Sequence, residues 1–294
     1  MSTNKKTPSP AKAKSVTAPS IQAQKGGEKI CCMTAYDYSS GLIADNAGMD
    51  LVLVGDSLAM VVLGHEDTLS VTMDEMVHHV RATSRGVKRA LLVADMPFMS
   101  FCTVDTALHN AGRFISEGRA KAVKLEGGVA VAPQIKALSD AGIPVMAHVG
   151  LTPQHVAKFG GFKAQGKSAE AAKALVKDAQ AVEEAGAFCV VLEAIPVEVA
   201  QLITESVSIP TIGIGAGNVT DGQILVYHDV LGLFDRFTPK FVRKYAELGE
   251  EAIEAFEAYC DDVRRGRFPG DKNTLYMSDD QADQVRKIKV KKKK

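Results

Sequence analysis

A chain of 294 residues that is 46% hydrophobic and 24% charged has enough apolar material for one large α/β domain with a substantial core. Its formal charge of zero hides a segregation: residues 1–27 hold five lysines and no acid, residues 285–294 hold seven basic residues and no acid, and the 23 basic and 35 acidic residues between them leave that stretch at −12. An acidic body argues against a general nucleic-acid surface, and no run approaches the ~18 consecutive apolar residues of a membrane span.

In chain order, residues 1–27 are rich in Ser, Thr, Pro, Ala and Lys. So few large apolar side chains cannot repay the entropy of ordering, and the segment is expected to be a disordered tail. It has neither the apolar core of a signal peptide nor the arginines of a mitochondrial transit peptide, which makes cytoplasm the expected location. The cysteines Cys31, Cys32, Cys102, Cys189 and Cys260 are odd in number and lack zinc-ligand spacing. Reduced, mostly buried thiols suit the same compartment.

From residue 28 onward, apolar β-like runs alternate with helix-period segments. The expected strands are Ile30 to Thr34, Leu51 to Val54, Ala90 to Ala94, Ala122 to Leu125, Pro144 to Ala147, Phe188 to Leu192, Pro210 to Ile214 and Ile224 to Tyr227. The expected helices between them include Ser39 to Ala47, Met73 to Gly86, Thr103 to Glu117, Ala130 to Ala141, Ala169 to Ala185 and Val197 to Ser206. Glycines such as Gly48, Gly118, Gly142 and Gly186 follow the helices as C-caps. Eight βα repeats in roughly 240 residues predict a single (β/α)₈ barrel over 28–270, with a doubly wound open sheet as the alternative. Pro239 to Arg264 reads as a further helix, and 271–294 as a basic tail ending in the solvated run Lys291 to Lys294.

Four carboxylates stand where apolar runs stop: Asp56, Asp95, Glu126 and Glu193. One strand-end acid caps a helix or closes a turn as readily as it does chemistry. Four would meet at the carboxyl edge of a parallel barrel, where such folds keep their active sites, and oxygen ligands suit a hard cation. Lys124 and Glu126 are two apart on a strand and share a face, so a salt bridge between them is one role and a substrate contact another. Ser57 is either the first turn of a helix or a hydrogen-bond donor to substrate. Glu193 sits among apolar neighbours that should desolvate it and raise its pKa, making it a stronger base; a buried ion-pair partner is the other reading. His148 also lies near a strand end, either touching substrate or serving as a core histidine. His65, His78 and His79 show no metal-ligand pattern, and zinc is not indicated. Gly213, Gly215 and Gly217 fit tight turns at the barrel mouth as well as a phosphate loop, and no Rossmann fingerprint occurs.

These residues fall within an ordered set of motifs: Val54-Gly55-Asp56-Ser57-Leu58, Gly64-His65, Ala94-Asp95-Met96-Pro97-Phe98, Lys124-Leu125-Glu126-Gly127-Gly128, Gly150-Leu151-Thr152-Pro153-Gln154, Leu192-Glu193 with Pro196-Val197-Glu198, and the stretch from Ile212 to Gln223. From about Lys29 to Gly270 the chain resembles the ketopantoate hydroxymethyltransferase family of the phosphoenolpyruvate/pyruvate barrel superfamily. The resemblance implies Mg²⁺ held by Asp56 and Asp95, with Glu126 behind them acting through water. It also implies a 2-oxo acid bound by Asp56, Ser57, Asp95 and Lys124 and chelating through a carboxylate and its keto oxygen. Glu193 would take the C3 proton of 3-methyl-2-oxobutanoate, and the resulting enolate would attack 5,10-methylenetetrahydrofolate, giving 2-dehydropantoate for pantothenate synthesis. A homodecamer of two stacked pentamers is implied as well. Two rivals remain at this point: another 2-oxo-acid lyase or mutase of the superfamily, whose Lys-Lys-Cys-Gly-His motif is missing here, and a non-catalytic barrel that binds 2-oxo acids.

Overall fold

The computed structural model describes residues 14–159, 161 and 163–289. Among them, eight parallel strands close in sequence order, β1 pairing with both β2 and β8. The strands are β1 (Ile30–Thr34), β2 (Leu51–Val54), β3 (Leu91–Asp95), β4 (Ala122–Glu126), β5 (Val145–Gly150), β6 (Cys189–Glu193), β7 (Thr211–Ile214) and β8 (Gly222–Leu225). The fold is a (β/α)₈ barrel, and the alternation of side chains along each strand explains its two cores. Leu51 and Leu53 of β2 join Leu91, Val93, Met146, Val191, Ile212 and Ile224 inside the barrel. Val52 and Val54 point outward into the layer shared with the helices. Because both faces are buried, these strands read as unbroken apolar runs.

The helices up to the end of the barrel are α1 (Ala18–Gln22), α2 (Tyr38–Asn46), α3 (Leu58–Val61), α4 (Met73–Gly86), α5 (Val104–Ser116), α6 (Ala132–Asp140), α7 (Val156–Phe159), α8 (Ala169–Glu184), α9 (Val197–Ser206) and α10 (Tyr227–Val230). Thr72 opens α4 with a reciprocal capping box to Glu75, satisfying donors that the first turn leaves free. Gly86 lets α4 lie against α2, since a Cβ there would sit 2.4 Å from the Tyr38 carbonyl oxygen.

Residues 14–27 depart from the expected disordered tail. Thr17 caps α1 through a capping box with Ser20, and Ala18 and Ile21 of this helix join the inner barrel core. Lys25 donates to Thr204 O at 2.7 Å and Asp221 Oδ2 at 3.0 Å, while Gly26 N donates to Asp221 Oδ1 at 2.9 Å. Burial would raise the pKa of Asp221, but the Thr211 and Gly26 amides and the Lys25 ammonium outweigh it and hold the carboxyl below the usual range. Composition concealed this order because one fully buried isoleucine and one partly buried ion pair anchor a polar stretch. Residues 1–13 lie outside the described residues.

Two other expectations shift. Strand β8 runs two residues earlier than expected, because Tyr227 N donates to Thr34 Oγ1 at 2.9 Å and begins α10. The helix expected from Pro239 starts only at Leu248. Before it, Val242 N bonds Pro239 O and Tyr245 N bonds Val230 O, so the segment turns back instead of coiling.

The chain divides into two compact units, the first ending at Tyr245 and the second beginning at Ala246. The second contains α11 (Leu248–Arg264), a 3₁₀ turn at Asp271–Asn273 and α12 (Asp279–Arg286), so helical structure occupies part of the expected C-terminal tail. The final basic run, Lys291 to Lys294, lies outside the described residues. On α11, Ile253, Phe256, Tyr259 and Val263 are exposed.

Ile21→Ala should lower unfolding free energy by about 2–5 kcal/mol, the range for a large-to-small change in a packed core. Urea denaturation followed by circular dichroism measures this. An unchanged midpoint would show that α1 is not part of the barrel core.

Candidate active site

Parallel register assembles the site. Asp95 of β3 stands beside Lys124 of β4, and Glu126 of β4 beside His148 of β5. Asp56 lies two residues past the end of β2, and Glu193 ends β6. Every sequence-predicted site residue therefore meets at one barrel end, lining a cavity of about 590 Å³. That volume lies within the ~300–1,000 Å³ of small-molecule sites.

Lys124 Nζ contacts both Asp95 carboxylate oxygens, at 2.8 and 2.9 Å, and lies 3.9 Å from Glu126 Oε1. The principal partner of Lys124 is thus its cross-strand neighbour, not the residue two along its own strand. Asp56 N donates to Asp95 Oδ2 at 3.2 Å. Gln154, on the 3₁₀ turn Pro153–His155 after β5, ties the acids together. Its Nε2 donates to Asp56 Oδ2 and Met96 O, both at 2.9 Å, and its backbone N donates to Glu126 Oε2 at 3.1 Å. Only its place in the Gly150-Leu151-Thr152-Pro153-Gln154 motif hinted at this role.

His148 stands between two carboxylates: Nδ1 is 3.4 Å from Glu126 Oε1 and Nε2 is 3.1 Å from Glu193 Oε2. Neither ring nitrogen has the direction of a hydrogen bond, so these are close charge contacts. Burial and the nearby Lys124 push the imidazole pKa down, but the two carboxylates outweigh them and raise it to about 9. Glu193 is less sealed than its apolar neighbours suggested, with its side chain 16% exposed against 1% for Glu126.

Burial and the charges of Asp95 and Glu126 hold the Asp56 carboxyl well above the usual range. Asp95 is raised by burial in spite of Lys124. Glu126 would be raised by burial too, but His148, Lys124 and the Gln154 amide bring it below the ordinary value. Lys124 is raised although burial alone would lower it, because three carboxylates surround it.

With all four acids ionised, Lys124 and a protonated His148 leave two negative charges uncompensated. A divalent cation matches that excess. Glu126 Oε1, buried and without a hydrogen-bond partner, is a free oxygen for its hydration shell. Among the described residues no group of three or more His, Cys, Asp or Glu side chains is placed to hold a metal ion by itself. Mg²⁺ does not require one, since it takes one or two carboxylates and completes its octahedron with water and substrate oxygens.

Ser57 occupies the N-cap position of α3 without a side-chain cap bond. Its hydroxyl lies 2.9 Å from that of Tyr36, a residue sequence reasoning passed over because it follows β1 without any charge to mark it. The glycines after β7 make a turn that seats an aromatic ring. At Gly215, with φ +67°, a Cβ would be 2.6 Å from the Phe241 ring, so the motif serves packing at the mouth.

Comparison with known proteins gives this geometry a family. A model described as ketopantoate hydroxymethyltransferase matches residues 15–271. A Syntrophobacter fumaroxidans protein named 3-methyl-2-oxobutanoate hydroxymethyltransferase is 58% identical over 278 residues, 94% of this chain and 99% of the relative. An Enterococcus faecalis protein of the same name is 60% identical over 254 residues, 86% of this chain and 92% of the relative. The solved 2,3-dimethylmalate lyase, a member of the PEP mutase/isocitrate lyase superfamily, shares the fold with TM-score 0.56 at 18% identity, covering 92% of this chain and 97% of its own. A match that begins ahead of α1 and extends past the whole barrel takes in every strand that contributes to the acid cluster, and on it the chain belongs to the ketopantoate hydroxymethyltransferase family.

Proposed function

We propose that the chain transfers a hydroxymethyl group from 5,10-methylenetetrahydrofolate to 3-methyl-2-oxobutanoate, giving 2-dehydropantoate, in a Mg²⁺-dependent reaction of the cytoplasm. The observation that carries the reading is the convergence of Glu193 with Asp56, Asp95, Glu126 and Lys124 on one cavity. Asp56 and Asp95 would hold the cation, with Glu126 behind them through water. When bound there, Mg²⁺ supplies Lewis acidity toward the keto oxygen, lowering the barrier to loss of the C3 proton.

The chain's own residues do the rest. Lys124 places a fixed ammonium, aligned by Asp95, beside the substrate carboxylate and the charge that develops on the enolate. Ser57 offers its hydroxyl to the substrate carboxylate while Tyr36 fixes its direction. Glu193 accepts the C3 proton, with the His148 imidazole 3.1 Å away as its charge partner. The buried floor of the cavity limits water around the carbanion.

Proton removal from C3 needs the base and the cation but not the folate. Wild-type protein with Mg²⁺ should therefore exchange the C3 hydrogen of 3-methyl-2-oxobutanoate for deuterium in D₂O. Glu193→Gln, which keeps shape and removes basicity, should slow that exchange roughly 10²- to 10⁴-fold. Proton NMR reads the rate directly. Wild-type exchange in the variant would remove Glu193 from the role of base.

The chain also acts, on this reading, as a homo-oligomer, with the family's decamer the expected form. Light scattering coupled to size exclusion should give a multiple of the 31.3 kDa chain mass. A monomer at micromolar concentration would refute it.

A further inference from the structure

The proton-transfer chemistry uses only part of the cavity. A five-carbon 2-oxo acid at the strand ends leaves much of the 590 Å³ unfilled, and the remaining walls are of a different kind. Phe234, Phe237 and Phe241 line the cavity together with Asp229. Phe234 and Phe237 meet edge to face, ring centroids 5.6 Å apart, and Phe237 is 49% exposed.

This wall is built. Phe241 is seated against Gly215. Arg236, between the first two phenylalanines, donates to the Gly64 and His65 carbonyls at 2.7 Å each, tying the segment to the loop after α3. Asp229 belongs to α10, whose first amide is pinned to Thr34. It is half-buried, and it has no ion-pair or hydrogen-bond partner for its carboxylate among the described residues. Burial alone raises its pKa to about 6, leaving it mainly ionised at neutral pH. A half-buried carboxylate without a partner is costly unless a ligand supplies donors.

The ligand that fits is a flat nitrogen heterocycle with adjacent N–H donors on one edge and a face for aromatic contact. The reduced pterin of a folate has both: its 2-amino group and N3–H form a two-donor edge suited to a carboxylate, and its ring offers a face to phenylalanine. We propose that Asp229 with Phe234, Phe237 and Phe241 forms the pterin subsite of the one-carbon donor, Asp229 accepting from the amino and N3–H groups. This rests on the reaction proposed above and locates its second substrate. Exposed Lys240, also lining the cavity, suits the anionic glutamate end of the same molecule.

The test is calorimetric titration with tetrahydrofolate, which carries no transferable carbon, into wild-type protein, Asp229→Asn and Phe237→Leu, together with steady-state kinetics. Asp229→Asn should weaken tetrahydrofolate binding about tenfold or more, as expected for loss of a charged hydrogen-bond acceptor. KM for methylenetetrahydrofolate should rise in parallel, while KM for 3-methyl-2-oxobutanoate stays within about twofold. Phe237→Leu should show the same split to a smaller degree, a pattern that general damage to the fold would not give. Variants that keep wild-type tetrahydrofolate affinity in an enzyme that turns over would overturn the subsite and leave the reaction standing. Wild-type protein that exchanges the C3 hydrogen yet binds no tetrahydrofolate would overturn both the subsite and the folate donor.

Discussion

The ion pair between Lys124 and Asp95 is what allows three further acids to be crowded at one end of the barrel. Each of these groups pays a desolvation penalty, and carboxylates within a few ångströms of one another repel in a medium that screens poorly. Lys124, buried and bonded to both Asp95 oxygens, offsets part of that repulsion. The Gln154 amide and the main-chain amides of Asp56 and Gln154 supply donors for most of the rest. What remains uncompensated is negative, and that residue of charge is what the proposed Mg²⁺ would balance.

The barrel makes this arrangement affordable. Parallel closure sends the carboxyl end of every strand to the same edge, and register places Asp95 opposite Lys124 and Glu126 opposite His148. Below the charged layer, the leucines, valines and isoleucines of the inner core, with Ile21 of α1 among them, form a rigid apolar floor. Beyond it, the aromatic wall from Phe234 to Phe241 lines the outer part of the cavity. The two halves of the proposed reaction, proton removal and capture of a one-carbon electrophile, thus correspond to surfaces of opposite character.

What could be read from the sequence was whatever depends on local pattern. The strands were legible because burial on both faces leaves apolar runs without interruption, and Asp56, Asp95, Glu126 and Glu193 stood out because a charge ends each run. Ordered family motifs added the roles. Features set by contacts between distant segments were hidden. The preference of Lys124 for Asp95 over Glu126 depends on inter-strand register. Gln154 reaches Asp56 across 98 residues, and His148 touches two acids on different strands. The order of residues 17–22 hangs on Ile21 entering the barrel, which composition cannot convey. Helix periodicity over Pro239 to Glu247 misled because the apolar Phe241 there serves the cavity wall.

The most direct test of the charge imbalance is thermal unfolding of wild-type protein and Asp56→Asn at pH 7 over a range of Mg²⁺ concentration. Asp56 lacks a cationic partner of its own and is held above its ordinary pKa by burial and neighbouring acids, so at pH 7 its ionised form destabilises the metal-free fold. The account predicts that metal-free Asp56→Asn melts at or above the wild-type temperature, and that Mg²⁺ raises the wild-type midpoint progressively, as expected for a ligand that binds only the folded state, while leaving the variant unmoved. A metal-free variant that melts well below wild type, or equal Mg²⁺ shifts in both proteins, would contradict it.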